Sequence, residues 1–364
     1  MNTVTNTQAL EWLTAGDVYQ PTFTLTPLTP AGSPLTVLAA DLALDESGED
    51  YMTLTVTIQG EAPSDMINAP EYRFTAGAVF LERNATAPTM LDIRLVGRKE
   101  VIHADGTAEL TFKSFESLVQ DYGLENSLTD LTAPSYLHSQ VTSLIHRALP
   151  SAQVVTNVGN PVFIQGSDTY HFENYAPLWG IIQEWCDQAA YGDGVTCYWD
   201  GSKFVLDAMP HAAQETPSLV IPAHFLTDIT VTKDRENFAN FCVTRYTRVP
   251  EGTTIPPREF HFSYGTGKAH SLANTKRKIY LEQIDRMPNI SAALTYVSHV
   301  IRRKVEAGSL LECTAARLYL TLRPYDTVTV EWAGHAYRGV IQNIAFSFTK
   351  AETSLSLKFV EQDY

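Results

Sequence analysis

Arg323-Pro324-Tyr325-Asp326-Thr327-Val328-Thr329-Val330 opens the stretch whose reading decides the fold. The chain turns at Ala333-Gly334 and resumes as His335-Ala336-Tyr337-Arg338-Gly339-Val340-Ile341-Gln342-Asn343-Ile344-Ala345-Phe346-Ser347-Phe348. A polar Lys350-Ala351-Glu352 turn then leads into Thr353-Ser354-Leu355-Ser356-Leu357-Lys358-Phe359. Successive side chains of a strand point to opposite faces, so apolar residues two apart mark a half-buried strand. Val328/Val330, Ile344/Phe346/Phe348 and Leu355/Leu357/Phe359 keep that spacing. Three such runs joined by short polar turns predict an antiparallel meander with one packed face and one wet face. The stretch holds no nucleophile, metal cluster or phosphate loop, and reads as architecture.

Working outward, the chain has 364 residues, enough for two or three domains. Only 18% of residues are charged, so Thr, Ser, Asn and Gln must supply much of the surface. The formal net charge of −15 excludes a general nucleic-acid coat, which needs a basic footprint. The charge is uneven: residues 1–72 contain ten Asp or Glu and no Lys or Arg, while 268–304 carry eight Lys or Arg against Glu282 and Asp285. Either block is a solvated surface, or one domain presents an acidic wall and another a basic dock. Cys186, Cys197, Cys242 and Cys313 share no Cys-x-x-Cys spacing and predict buried thiols in a reducing compartment. The polar start Met1-Asn2-Thr3-Val4 has no basic region of a signal peptide, and no apolar run approaches a membrane span of ~20 residues.

The fold class expected is mainly β with α+β inserts, in four parts. Residues 1–34, rich in Thr and Pro, form an N-terminal arm or an edge strand, because Pro cannot donate to a ladder. Residues 35–125 form a first β domain. Leu35 to Leu44 is a strand, and Tyr51 to Ile58 alternates Met52, Leu54, Val56 and Ile58 with Thr; Met90 to Arg98 and a hairpin from Val101 to Phe112 follow. Residues 126–215 are a helix and hairpin insert. Leu137, Val141, Leu144, Ile145 and Ala148 are helically spaced, as are Leu178, Ile181, Ile182 and Trp185, and Asp200-Gly201 turns a strand pair. Residues 216–364 are a second antiparallel β domain with its own insert near 255–308, whose helix starts at Asn289 and runs through Ile290, Leu294, Val297 and Ile301.

This order resembles the tail hub proteins of tailed bacteriophages, also called baseplate hub, minor tail or tail-tip proteins. Two stretches carry the resemblance by residue pattern: Leu178 to Trp185 with the hairpin Val195 to Leu206, and Tyr325 to Val330 with Tyr337-Arg338-Gly339-Val340-Ile341. The resemblance implies two tail-tube-like β domains side by side in each chain. It implies a homotrimeric virion structural protein that closes the distal tail tube, adapts six-fold to three-fold symmetry and opens for DNA. The partners implied are copies of itself, a tail tube or distal tail protein, a tape-measure protein, and a central tip or fibre protein. The place implied is the virion tail tip, after synthesis in the host cytoplasm, with no sequence-specific nucleic-acid binding, no cofactor and no metal. A conduit wall must not hold its cargo, so Asp41, Asp45, Glu46, Glu49 and Asp50 are candidates to line or rim the channel. The alternatives are that these acids only solubilise the outer surface, or that Lys276, Arg277 and Lys278 line the lumen instead.

Catalytic patterns are missing or incomplete. Gly265-Thr266-Gly267-Lys268 lacks both the Gly required at Phe262 and the Ser or Thr required at Ala269 for a phosphate loop. His138 and His146 are too far apart on one helix to share a metal, and there is no Gly-x-Ser-x-Gly elbow. The second function class is a carbohydrate-binding or carbohydrate-hydrolysing β protein. It would use Glu173, Glu184 and Asp187 as acids, and Trp179, Trp185, Tyr191, Tyr198 and Trp199 as stacking platforms. The opposing reading makes those aromatics core residues on predicted apolar faces.

Overall fold

A computed structural model describes residues 1–46, 50–124, 135–158, 163–164, 176–188, 195–208, 216–246, 258–263, 271–273, 275–284, 290–306 and 308–359. The predicted meander is present. Thr327–Trp332, His335–Ser347 and Glu352–Phe359 pair antiparallel in sequence order. Its inward side chains are those the period-two spacing names: Val328, Val330, Ile344, Phe346, Leu355, Leu357 and Phe359 are all buried.

The meander anchors a set of six strands. Ser309–Ala315 adds to Glu352–Phe359, and Leu226–Lys233 adds to Ser309–Ala315. On the other side Leu219–Ile221 pairs parallel with Thr327–Trp332. A short 3-10 turn at Ala223–Phe225 carries the chain from Leu219–Ile221 back to Leu226–Lys233, where Ala316 N–H donates to Phe225 O at 2.9 Å.

The first strand set, earlier in the chain, also has six: Val37–Asp45, Met52–Gln59, Thr107–Lys113, Ala85–Ile102, Glu71–Phe80 and Tyr19–Pro27, hydrogen-bonded in that order. Leu35 N–H donates to Leu25 O at 2.8 Å, which brings the two ends of this set together. Residues 90–112, read as a strand and a separate hairpin, are one 18-residue strand and its antiparallel partner. Asp105-Gly106 turns between them, with Thr107 N–H on Asp105 Oδ1 at 3.0 Å.

The two sets are joined edge to edge. His335–Ser347 is long enough to serve both: residues 335–340 pair with Thr327–Trp332, and 343–347 pair with 41–45 of Val37–Asp45. With the two-residue strand Asn2–Thr3, which pairs parallel with Ala85–Ile102, the result is one continuous 13-stranded sheet among the described residues. Its core is also continuous, since the Phe348 ring lies 5.7 Å from Phe23 and 5.1 Å from Phe74 in the first set.

The N-terminal segment is only partly as expected. Tyr19–Pro27 is indeed an edge strand, but Asn6–Ala15 is a helix rather than extended chain. Thr5 Oγ1 caps it through Gln8 N–H at 3.2 Å, and Gly16, at φ 93°, ends it. Thr5 and Gln8 have the spacing of a capping box, a signal the sequence reading passed over. Ala9 and Leu13 bury this helix in the common core.

Each insert has its own core. In the first, the helices Glu116–Asp121, Leu137–Ala148 and Leu178–Gln188 pack on the sheet Val195–Trp199, Phe204–Ala208 and Val154–Thr156. In the second, the helix Ile290–Glu306 lays Val297 and Ile301 on Cys242 and Tyr246 of the central strand Phe241–Tyr246. Arg258–Ser263 and Ile279–Ile284 flank that strand.

Candidate functional site on the sheet junction

Where the two strand sets meet, alternation turns one face of each strand into the core and the other outward. Leu42 and Leu44 point in, while Asp41 and Ala43 are exposed and Asp45 is half-buried. The registers align the outward residues in rows across five strands. One row runs Asp45, Asn343, Ser356, Glu312, Thr230. The next runs Ala43, Ala345, Ser354, Thr314, Asp228. A third starts Asp41, Ser347, Glu352. At ~4.8 Å per strand, five strands give a face ~19 Å across.

The side chains of these rows are small, so the face is hollow. It forms an open trough of about 570 Å³ with Asp45, Asp228 and Glu312 among its walls and, among the described residues that line it, no Lys or Arg. Local hydrogen bonds hold it. Thr314 Oγ1 and Ser354 Oγ are 2.9 Å apart, and the Asn343 amide, turned to donate, reaches Asp45 Oδ1 at 2.8 Å. A wall of carboxylates, hydroxyls and methyl groups with no cation among its described lining residues offers phosphate no ion pair, and its carboxylates repel it.

The five acids singled out from the sequence divide. Asp41 and Asp45 lie on this face. Glu46 sits at its rim and accepts from Lys358 Nζ at 3.1 Å and from Gln342 Nε2 at 2.5 Å. Asp50 is 9% exposed and pairs with Lys113 Nζ at 2.5 Å. A carboxylate withdrawn from water requires such a cation, so Asp50 is spoken for within its own chain. Glu49 lies outside the described residues. Asp228 and Glu312, remote in sequence, complete the face; only the pairing of Leu226–Lys233 with Ser309–Ala315 reveals them.

A second buried polar node joins the first strand set to its insert. Glu116 is 1% exposed, and its carboxylate accepts the Trp199 main-chain N–H. Burial pushes its acid up to about 7, although hydrogen bonds from Ser114 and Trp199 pull the other way. Trp199 Nε1 donates to Arg94 O at 2.9 Å, and Arg94 N–H donates to Gly201 O at 2.7 Å. The Asp200-Gly201 turn is thereby clamped onto the strand Ala85–Ile102.

The carbohydrate reading loses its platforms. Trp179, Trp185 and Trp199 are 3%, 1% and 3% exposed. Trp199 stacks on Phe115 at 4.4 Å, and Tyr198 packs on Tyr51 at 4.6 Å. Glu184 is half-buried; Glu173, Tyr191 and the Gly265–Lys268 segment lie outside the described residues, as does the side chain of Asp187. Among the described residues no group of His, Cys, Asp or Glu could hold a metal ion. All four cysteines are buried and free of disulfides.

No family model and no curated protein matches the sequence. The fold does match solved structures. The tail protein from Neisseria meningitidis MC58 is similar at TM-score 0.65 and 12% identity, over 93% of this chain and 96% of that one. The 43 kDa tail protein of prophage MuSo2 from Shewanella oneidensis is similar at TM-score 0.62 and 11% identity, over 92% and 97%. A prophage tail protein from Listeria monocytogenes EGD-e is similar at TM-score 0.57 and 10% identity, over 94% and 95%. The chain therefore shares the fold of these tail proteins over more than nine-tenths of its length.

Proposed function

We propose that this chain is a structural component of a phage-type tail or baseplate, and that copies of it form a ring whose lumen is the sheet-junction face. The single observation that carries the reading is that face: a continuous sheet spanning both strand sets, hollow, acidic and hydroxylic, with no cation among its described lining residues. A fold shared with three tail proteins over more than nine-tenths of the chain supports it.

In this reading each chain contributes two strand sets, and three chains place six around the axis. A homotrimer would thus match a six-fold tube above and a three-fold tip below. Asp41, Asp45, Asp228 and Glu312 repel passing phosphate, while Glu46 lies toward the rim. The remaining partners are a tail tube or distal tail protein, a tape-measure protein and a central tip or fibre protein. The interface of such an obligate ring exceeds ~2,000 Å². Its place is the virion tail tip; among the described residues no helix is long and apolar enough to cross a membrane.

Electron cryomicroscopy of the purified protein tests this. The expected image is a three-fold ring with the sheet-junction face inward. A stable monomer at high concentration refutes the hub, and a ring lined by Lys276, Arg277 and Lys278 refutes the conduit.

A further inference from the structure

Among the described residues the two most exposed large apolar side chains are Ile67, at 91%, and Leu281, at 73%. They occupy opposite electrostatic settings. Ile67 stands on the 3-10 turn Met66–Asn68. That turn is stiff: Asp65 Oδ1 accepts Ile67 N–H at 2.9 Å, and Met66, buried beneath, abuts Gly97 so closely that a Cβ there would lie 2.4 Å from its sulfur. Exposed Glu61 and Asp65 share the loop.

Leu281 stands on the second insert, in the strand Ile279–Ile284. It shares the sheet face turned away from the helix Ile290–Glu306 with Ile279, which is 50% exposed, and with half-buried Val243. Cations border this face. Arg277 lies over the Phe241 ring at 3.9 Å, Lys276 precedes it, and Arg245 is exposed two residues along from Val243. The acid on the same face, Glu259, is engaged by His261 at 3.0 Å. The outer edge of Ile279–Ile284 has no strand beside it among the described residues.

A single exposed leucine needs no explanation. A rigid apolar knob among acids, and an apolar sheet face among cations on the same polypeptide, are complementary in both hydrophobicity and charge. We infer that they meet between copies: the Ile67 turn of one chain docks on the Ile279/Leu281 face of the next. The contact is heterologous, head to tail, the kind that closes a ring when the rotation allows. This inference rests on the ring reading above, and adds which surfaces the ring uses.

Sedimentation velocity over a concentration series, with the full chain, tests it. Ile67→Asp and Leu281→Asp each weaken self-association at least about tenfold, the effect of losing one central anchor. Both positions are exposed, so at a dilution where the wild type is also monomeric the variants unfold at the wild-type temperature. Mixing the two variants in equal amounts restores a dimer and nothing larger. The Leu281→Asp copy still offers an intact Ile67 turn, and the Ile67→Asp copy an intact face. Raising salt weakens the wild-type assembly, because the bordering charges are screened. If the wild type assembles and both variants assemble equally well, or the mixture stays monomeric, the docking inference is overturned while the ring reading stands. If the wild type itself stays monomeric, the ring reading falls and the inference with it.

Discussion

The Glu116 carboxylate accepts the Trp199 main-chain N–H inside the seam between the first strand set and its insert. Its acid is raised from 4.5 to about 7, chiefly by burial. The folded state therefore holds this proton more tightly than the unfolded state. Its contribution is fully present below pH 4.5, declines as pH rises toward 7, and is flat above. The largest possible loss is about 3 kcal/mol, since one pKa unit is worth 1.36 kcal/mol. Glu116→Gln keeps an acceptor for Trp199 and cannot ionise. Its melting temperature should be higher than wild type at pH 8, with the difference shrinking toward pH 4.5; a constant difference across that range refutes the linkage.

The meander, the Asp-Gly hairpin and the amphipathic helices were legible because each is coded locally, by period or by turn chemistry. What local pattern cannot encode is which strands meet. Asp45 is in the acid block seen in the sequence, but Asp228 and Glu312 join it only through pairing across the sheet junction. Asp50 and Lys113 are 63 residues apart, so their pairing was equally invisible and an acid read as channel-facing is an internal ion pair. In Glu71–Phe80 the alternation of Tyr72, Phe74, Ala76, Ala78 and Phe80 is faint in the sequence, because two alanines weaken the apolar signal.

The Asp200-Gly201 turn gives a backbone prediction. Gly201 has φ +105°, and a Cβ there would lie 2.5 Å from Ile93 Cγ2. Gly334 has φ +82° but nothing within 4 Å. Gly334→Ala should cost about 1 kcal/mol, from strain alone, and Gly201→Ala clearly more, because the clamp on Arg94 must also open. Urea unfolding of the two variants compares them; equal midpoints would show that the clamp is slack.

Two ion pairs should behave differently. In Lys113–Asp50 the acid side chain is 6% exposed, while in Arg73–Asp92 the two side chains are 51% and 40% exposed. Lys113→Ala strands a buried carboxylate and should destabilise by about 1–2 kcal/mol. Arg73→Ala should change stability by no more than about 0.5 kcal/mol. Chemical denaturation at pH 7 measures both, and a larger loss at Arg73 would reverse the assignment.

The acid face yields the functional prediction. Asp45, Asp228 and Glu312 are polar outward residues of strands whose opposite faces form the core. Changing them to Lys alters the charge of the trough by six units and removes no core side chain, only the Asn343–Asp45 hydrogen bond. The triple variant should fold, with a stability no more than about 1–2 kcal/mol below that of wild type. Duplex DNA should now bind to it, because three cations on one hollow face create phosphate ion pairs where there were carboxylates, with an affinity that drops steeply with salt. Wild type should show no such binding in the same anisotropy titration. In assembled particles the variant should slow DNA release while leaving tail length and particle yield unchanged. Weak binding by wild type at low salt would point instead to the cations at 276–278, and DNA release at the normal rate from triple-variant particles would mean that this face does not line the path.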